Sequence, residues 1–209
     1  MKSLDKLRTQ VKVLMAKNDP AHDFEHILRV YANAEKICYT EKANKKLVLT
    51  AVLLHDIVSY PKSDKRSKSS SNKSAQKAKK ILQKLPYSDI EIKIIIDAIK
   101  NHSFSKNKIP KTIEGKILQD ADRLDALGAI GIARTFAVSG AENRSFYNSD
   151  DPFCSKRNPN DQQWALDHFF KKLLMLEKKM NTKSGKIEAR RRTEIIKNYL
   201  NNLKLELKL

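Results

Sequence analysis

Leu47-Val-Leu-Thr-Ala-Val-Leu-Leu-His-Asp56 places an imidazole and a carboxylate at the end of an almost unbroken apolar run. A helix of that composition has no polar strip to turn towards water, so it is expected to be buried on all sides. Burying an unpaired carboxylate costs on the order of several kcal/mol, so Asp56 requires a cation or strong donors opposite it. Neighbouring helical residues project about 100° apart at about 3.6 residues per turn, so His55 and Asp56 could lean on one ion at the edge of that face. An Asp paired with Arg or Lys, beside a His bonded to a backbone carbonyl, fits the pair equally well. The rest of the chain has to separate the two readings.

Around this run the spacing is helical almost everywhere. Leu4, Leu7, Val11 and Leu14 form a first stripe, and Ile27, Val30, Ala34 and Ile37 a second, entered past Pro20. The helix carrying His55-Asp56 is expected from about Asn44 to Val58, with Pro61 stopping it. Lys62 to Lys80 is Ser-rich and holds eight basic residues against one Asp; its second half runs into Ala75, Ala78, Ile81 and Leu82 and reads as helix rather than linker. Ser88-Asp89 can cap a helix through Ile92, Ile95, Ile96 and Ile99, and Pro110-Lys-Thr112 another. That next helix reads as one long element, about Ile113 to Ser139, with Gly115, Gly128 and Gly131 letting neighbours approach and Gly140 as the residue that ends it. After a loop over 141–160, Trp164, Leu166, Phe169, Leu173, Leu176 and Met180 mark a helix, and Ile187 through Leu207 the last. No strand pattern competes. The fold class is all-α, in one domain over 1–209 with its core at about 20–140 and C-terminal helices at about 161–208 packed on it.

Composition agrees: 5 Gly and 6 Pro in 209 residues, with 32% charged, argue against a turn-rich β fold. The net charge of +18 sets up a field that draws polyanions, whether nucleotides, nucleic acid or an anionic surface. Lys far outnumbers Arg, however, and much of it (Lys79-Lys80, Lys178-Lys179, Lys204) falls on outer helix faces, so a solvated basic surface outweighs a dedicated nucleic-acid groove. Cys38 and Cys154 form no CxxC pair, the N-terminal segment has no continuous apolar core, and no stretch reaches the roughly 20 apolar residues that span a bilayer. A reducing cytoplasm is expected, with no membrane partner; oligomeric state is not legible.

Four side chains on three helices are candidate metal ligands: His26, the pair His55-Asp56, and Asp122. Two neutral imidazoles and two carboxylates neutralise a divalent cation, and this mixed N/O set suits Mn²⁺ or Mg²⁺, with Fe²⁺, Co²⁺ and Ni²⁺ fitting the same donors. These residues carry a resemblance. Asp23-Phe-Glu-His26, Leu54-His-Asp56 and Gln119-Asp-Ala-Asp-Arg-Leu-Asp125 resemble the H…HD…D signature of the HD-domain metal-dependent phosphohydrolases. His55-Asp-Ile-Val-Ser-Tyr-Pro-Lys62, Asn101-His-Ser-Phe-Ser105, Gly115 to Phe136 and Asp167-His-Phe-Phe-Lys-Lys172 look like a small stand-alone bacterial subgroup of that family, over roughly residues 20 to 200.

The resemblance implies an HD-type helical bundle and hydrolysis of a phosphate ester or anhydride by a metal-activated water. It implies His26, His55, Asp56 and Asp122 as metal ligands, and nucleoside or deoxynucleoside triphosphates as substrates, with release of pyrophosphate. Asp56, Arg123 and His102 are the candidate catalytic groups, and Lys62, His102 and Arg123 the candidate phosphate contacts. Ser59 and Tyr60 stand where many HD nucleotidases carry an acid, so the sequence names no general acid. Asp23 reads as a helix cap or a support to the ligands, His22 is undecided, Asp125 orients a ligand or takes a salt bridge, and Asp120 is structural. His168 reads as a satisfied core residue and Lys172 as a surface lysine. The signature does not separate a triphosphate hydrolase from a cyclic-nucleotide or (p)ppGpp hydrolase. A polyanion-binding protein with a structural metal is the reading from another class.

Overall fold

Helix α3 (Lys45–Leu54) buries Leu47 through Leu54 without exception, and the first half of the molecule is built around it. The computed structural model describes residues 2–15, 23–60 and 64–208; among these the regular structure is all helix, apart from one isolated bridge between Ser145 and Trp164. The chain divides into two compact units, Met1–Asp122 and Arg123–Leu209. Pro20, His22, Pro61 and Lys62 lie outside the described residues.

In the first unit α1 (Lys2–Leu14), α2 (Phe24–Thr40) and α5 (Asp89–Asn101) pack on α3, and α4 (Ser70–Leu82) packs on α5. The buried row of α1 is Leu7, Val11 and Met15, whereas Leu14 is 40% exposed, so the stripe follows the i, i+4 row. Four of the helices begin where a side chain satisfies an orphan N–H. Asp23 accepts from the His26 N–H at 2.9 Å and Asn44 from Leu47 at 3.3 Å. Ser88 and Glu91 close a reciprocal capping box, and Thr112 Oγ1 accepts from Gly115 at 3.1 Å to start α6 (Ile113–Asp125). The basic stretch after Lys62 resolves into a short 3-10 turn, Lys65–Ser69, followed by α4.

Three expectations from the sequence are corrected. The first is the end of α3: it stops at Leu54, with His55 as its cap and Asp56 in the turn beyond. A carboxylate inside a helix buried all round would have no polar neighbour, and ending the helix there swings the pair to its edge. The second is the long helix after Thr112, which is two: α6 ends at Asp125 and α7 (Gly128–Ala141) starts afresh. Leu127 is extended and Gly128 takes a φ of +71°, the left-handed conformation that suits glycine. The terminating residue is then Asn143 rather than Gly140. Asn143 has φ 53°, and its N–H and that of Arg144 bond the carbonyls of Gly140 and Ser139 at 3.1 and 2.9 Å.

The third correction is Trp164, which is not helical. Ala165 and Leu166 donate to the carbonyls of Ser145 and Phe146 at 2.9 and 3.0 Å, and this pairing holds the segment open until helix begins at 167. That helix, 167–179, contains a π turn over Phe169–Leu173, then α8 (Leu174–Leu176) and a 3-10 turn. Helix α9 (Lys183–Glu206) closes the second unit, where α7 packs on α9 and Phe136, Phe169 and Tyr199 form an aromatic cluster with centroids 5.8–6.0 Å apart. The loop 141–160 is organised by Asp167: Arg157 grips its two oxygens at 2.5 and 2.7 Å and the Asn160 N–H adds a third bond at 2.6 Å. Among the described residues, no single helix is long and apolar enough to cross a membrane.

Candidate metal centre

Two histidines of the first unit are placed by the same local device. His55 caps α3 and donates from Nδ1 to the Val52 carbonyl at 2.7 Å; His102 caps α5 and donates from Nδ1 to the Ile99 carbonyl at 2.7 Å. A proton spent on the carbonyl three residues back leaves Nε2 of the neutral ring as the outward-facing acceptor. The two rings meet edge to face at 4.9 Å. His26 comes from the first turn of α2 and brings its Nε2 within 3.3 Å of His55 Nε2.

Carboxylates face these nitrogens. Asp56 Oδ2 lies 3.6 Å from His55 Nε2 and 3.9 Å from His26 Nε2, and its Oδ1 lies 3.6 Å from His102 Nε2. Asp122, from α6, places Oδ1 3.5 Å from His26 Nε2 and 4.0 Å from His55 Nε2. His26, His55 and His102 are buried, as is most of Asp56, while Asp122 is a quarter exposed and forms the open side. His26, His55 and Asp56 each offer one ligand atom within 4.8 Å of the others, a spacing that can hold a metal ion.

Electrostatics follow from burial and crowding. Burial pushes the His55 imidazole down to about 4, with His102 and His26 adding to the effect against Asp56 and Asp122, so the ring is neutral at pH 7. Burial alone would lower His102 too, but the Asp56 carboxylate, helped by Asp122 and the Ile99 carbonyl, carries it above the ordinary histidine value. Burial would raise Asp122, and His26, His102 and His55 together outweigh that and hold it below the usual carboxylate range.

Asp23 is the cap of α2 and positions His26 through the His26 N–H. Arg123 is the first residue of the second unit; it is buried and its guanidinium donates to the Lys179 carbonyl. Asp125 takes a salt bridge from Arg134 at 2.7 Å, and Asp120 is buried. His168 is partly exposed and bonds Asp161 at 2.9 Å, a satisfied histidine at the surface rather than in the core.

Two positioning residues escaped the sequence reading. Asn33 is buried and donates to the Ala121 carbonyl at 3.2 Å, fixing α6 one residue before Asp122. Gln119, fully buried, donates to the carbonyls of Asn101 and Lys108 at 3.1 and 2.8 Å and so ties α6 to the segment around His102. The signal for Asn33 was present: it stands two turns from His26 on the apolar face of α2, where an amide has to find a buried partner.

An all-helical fold whose separate helices deliver His, His-Asp and Asp to one point is matched by the HD domain family over residues 23–127, which include all five side chains of the centre. The chain belongs to the HD domain family. Over 99% of its length it is 33% identical to YpgQ of Bacillus subtilis (strain 168), an uncharacterized protein of which 95% is covered. A solved structure of YpgQ in complex with ADP matches at a TM-score of 0.75 with 32% identity, covering 98% of this chain and 95% of that one. An HD-superfamily hydrolase from Bacillus thuringiensis matches at 0.77 with 34% identity, covering 99% and 97%.

Proposed function

We propose that the protein is a metal-dependent phosphohydrolase acting on nucleotides, with nucleoside and deoxynucleoside triphosphates as its leading substrates. One observation carries this reading: imidazole nitrogens of His26 and His55, 3.3 Å apart, with the carboxylates of Asp56 and Asp122 against them. Imidazole nitrogens and carboxylate oxygens brought this close make a mixed donor set that suits a divalent cation, and the two carboxylates balance its charge. Mn²⁺ or Mg²⁺ is the assignment, and Fe²⁺, Co²⁺ and Ni²⁺ suit the same donors. The YpgQ structure with ADP supports a nucleotide as the ligand.

A bound divalent cation supplies Lewis acidity towards water and a phosphoryl oxygen. The chain supplies the rest. His26, His55, Asp56 and Asp122 would hold the cation, and Asp122, a quarter exposed, gives the site its open edge. His102 turns its Nε2 towards Asp56 Oδ1 at 3.6 Å, and that carboxylate favours the protonated ring, which puts a donor beside the charge that grows on the transferring group. From their places in the sequence, beside Asp122 and after the His55-Asp56 pair, Arg123 and Lys62 are the cationic side chains proposed for the phosphate chain.

The test is phosphate and pyrophosphate release from a panel of nucleoside and deoxynucleoside triphosphates, monophosphates, cyclic nucleotides and (p)ppGpp. Turnover of triphosphates that chelation abolishes and Mn²⁺ restores is the expected result. Turnover confined to cyclic nucleotides or (p)ppGpp would move the substrate class. No release from any substrate with any of the five metals would overturn the hydrolase reading in favour of a structural metal.

A further inference from the structure

Helix α4 borders a concavity of about 630 Å³ in the first unit, lined by none of the side chains of the metal centre. Four lysines line it, Lys73, Lys77, Lys79 and Lys80, together with the amides of Gln76 and Gln83 and the ring of Tyr60. No carboxylate lines it, and none pairs with these four lysines among the described residues, whereas Lys45 and Lys46 on α3 are matched by Glu35 and Glu91. Like charges at i, i+4, as Lys73 and Lys77 are, oppose helix formation, and an anion bridging the row would offset that repulsion. The walls are held in place: Ser74 on α4 bonds both the N–H and the carbonyl of Val58 at 3.1 Å. One face of Tyr60 carries the Arg66 guanidinium at 4.6 Å, and Asp64 fixes that group with bonds of 2.7–3.1 Å.

We propose that this groove binds a single-stranded nucleic acid, its phosphates on the lysine row, its bases against Tyr60 and the two glutamines. Lysines alone would take any chain of phosphates. The amides and the aromatic ring address base edges and base faces, which a bare polyphosphate lacks. From Lys73 to Lys80 the row spans about 10 Å at 1.5 Å per residue, the reach of a few nucleotides of one strand.

Binding of a fluorescein-labelled twelve-nucleotide RNA, followed by anisotropy across salt concentrations, tests the assignment. The variant Lys73→Gln, Lys77→Gln, Lys79→Gln, Lys80→Gln is compared with Lys6→Gln, Lys12→Gln, Lys186→Gln, Lys204→Gln, which removes as much charge from exposed lysines elsewhere. Each phosphate left without its lysine lowers the slope of log affinity against log salt by about 0.7, so the groove variant's slope falls by about 2 to 3 and the control keeps its own. The groove variant binds at least tenfold more weakly at fixed salt (roughly, by the same relation). Tyr60→Ala weakens binding about fivefold with the slope unchanged, as removal of a stacked base requires. Should the fourfold variant lose helicity by circular dichroism, Lys73→Gln with Lys80→Gln carries the same comparison. Equal weakening in groove and control variants, or no binding by the wild type, overturns the proposal. Displacement by inorganic polyphosphate of matched charge as readily as by unlabelled RNA also overturns it.

Discussion

His55 and His102 each spend one ring nitrogen on the last turn of the helix they terminate, and this decides what the other nitrogen can do. Orientation and tautomer are fixed together, so the centre is assembled before any ligand arrives. Substituting a group that merely supports a ligand costs about 10–100-fold in metal affinity, so His55→Ala and Asp122→Ala should each lose more than that. Both are expected to purify without metal and without turnover while keeping a helical spectrum; full metal occupancy in either, by elemental analysis beside wild type, would remove it from the ligand set. Arg123→Ala is expected to keep its metal and lose about 100-fold in kcat/KM, the scale of removing one donor to a developing charge. Unchanged kcat/KM would remove Arg123 from the mechanism and leave it a structural role, in which it bonds the Lys179 carbonyl.

At the scale of elements, the break between α6 and α7 separates a helix that was expected to be continuous. Gly131 sits so close to the preceding turn that a Cβ there would lie 2.2 Å from the Ala126 carbonyl oxygen. Gly140, near the other end of the same helix, has nothing within 4 Å. The pair therefore makes an internal comparison. Gly131→Ala is expected to destabilise by about 1–3 kcal/mol through overpacking against backbone. Gly140→Ala is expected to stabilise by about 0.5–1 kcal/mol, since alanine loses less entropy in a helix. Denaturant melts read both, and equal effects at the two sites would mean that α7 can slide away from Ala126.

Taken as a whole, the molecule combines a net charge of +18 with carboxylates committed to fixed cations. Glu188 is held down to about 2 by bonds to Arg191 and Arg192. Asp161, bonded by His168 and Lys171, and Asp167, gripped by Arg157 despite its burial, are also held low. A folded value below the unfolded one means that these groups stabilise the fold above about pH 4, the ordinary carboxylate value, and lose that contribution as pH falls towards about 2. The melting temperature is therefore expected to fall steeply between about pH 4 and 2. Asp167→Asn should begin from a lower stability at neutral pH and show a shallower acid loss; an acid limb identical to wild type would show that Asp167 is not among the groups that set it.

Local chemistry in the chain sets most of the helices and several of their starts, because apolar spacing and capping residues act within a few positions: Asp23, Ser88 and Thr112 cap where they are expected to. The sequence also determined which side chains were out of place in a dry core, His55 and Asp56 foremost, and His26 and Asp122 through the HD resemblance. Where α3 ends, that α6 and α7 are two helices, and that Trp164 pairs with the Ser145 segment follow from packing alone, because a left-handed Gly128 and backbone bonds across a loop depend on partners distant in the chain. The same holds for the centre itself. Nothing local in positions 26, 55, 56, 102 and 122 sets a distance, and they meet within 4.0 Å of their nearest neighbours because α2, α5 and the start of the turn after α3 pack around one buried core, with Asn33 and Gln119 bonding α6 against it.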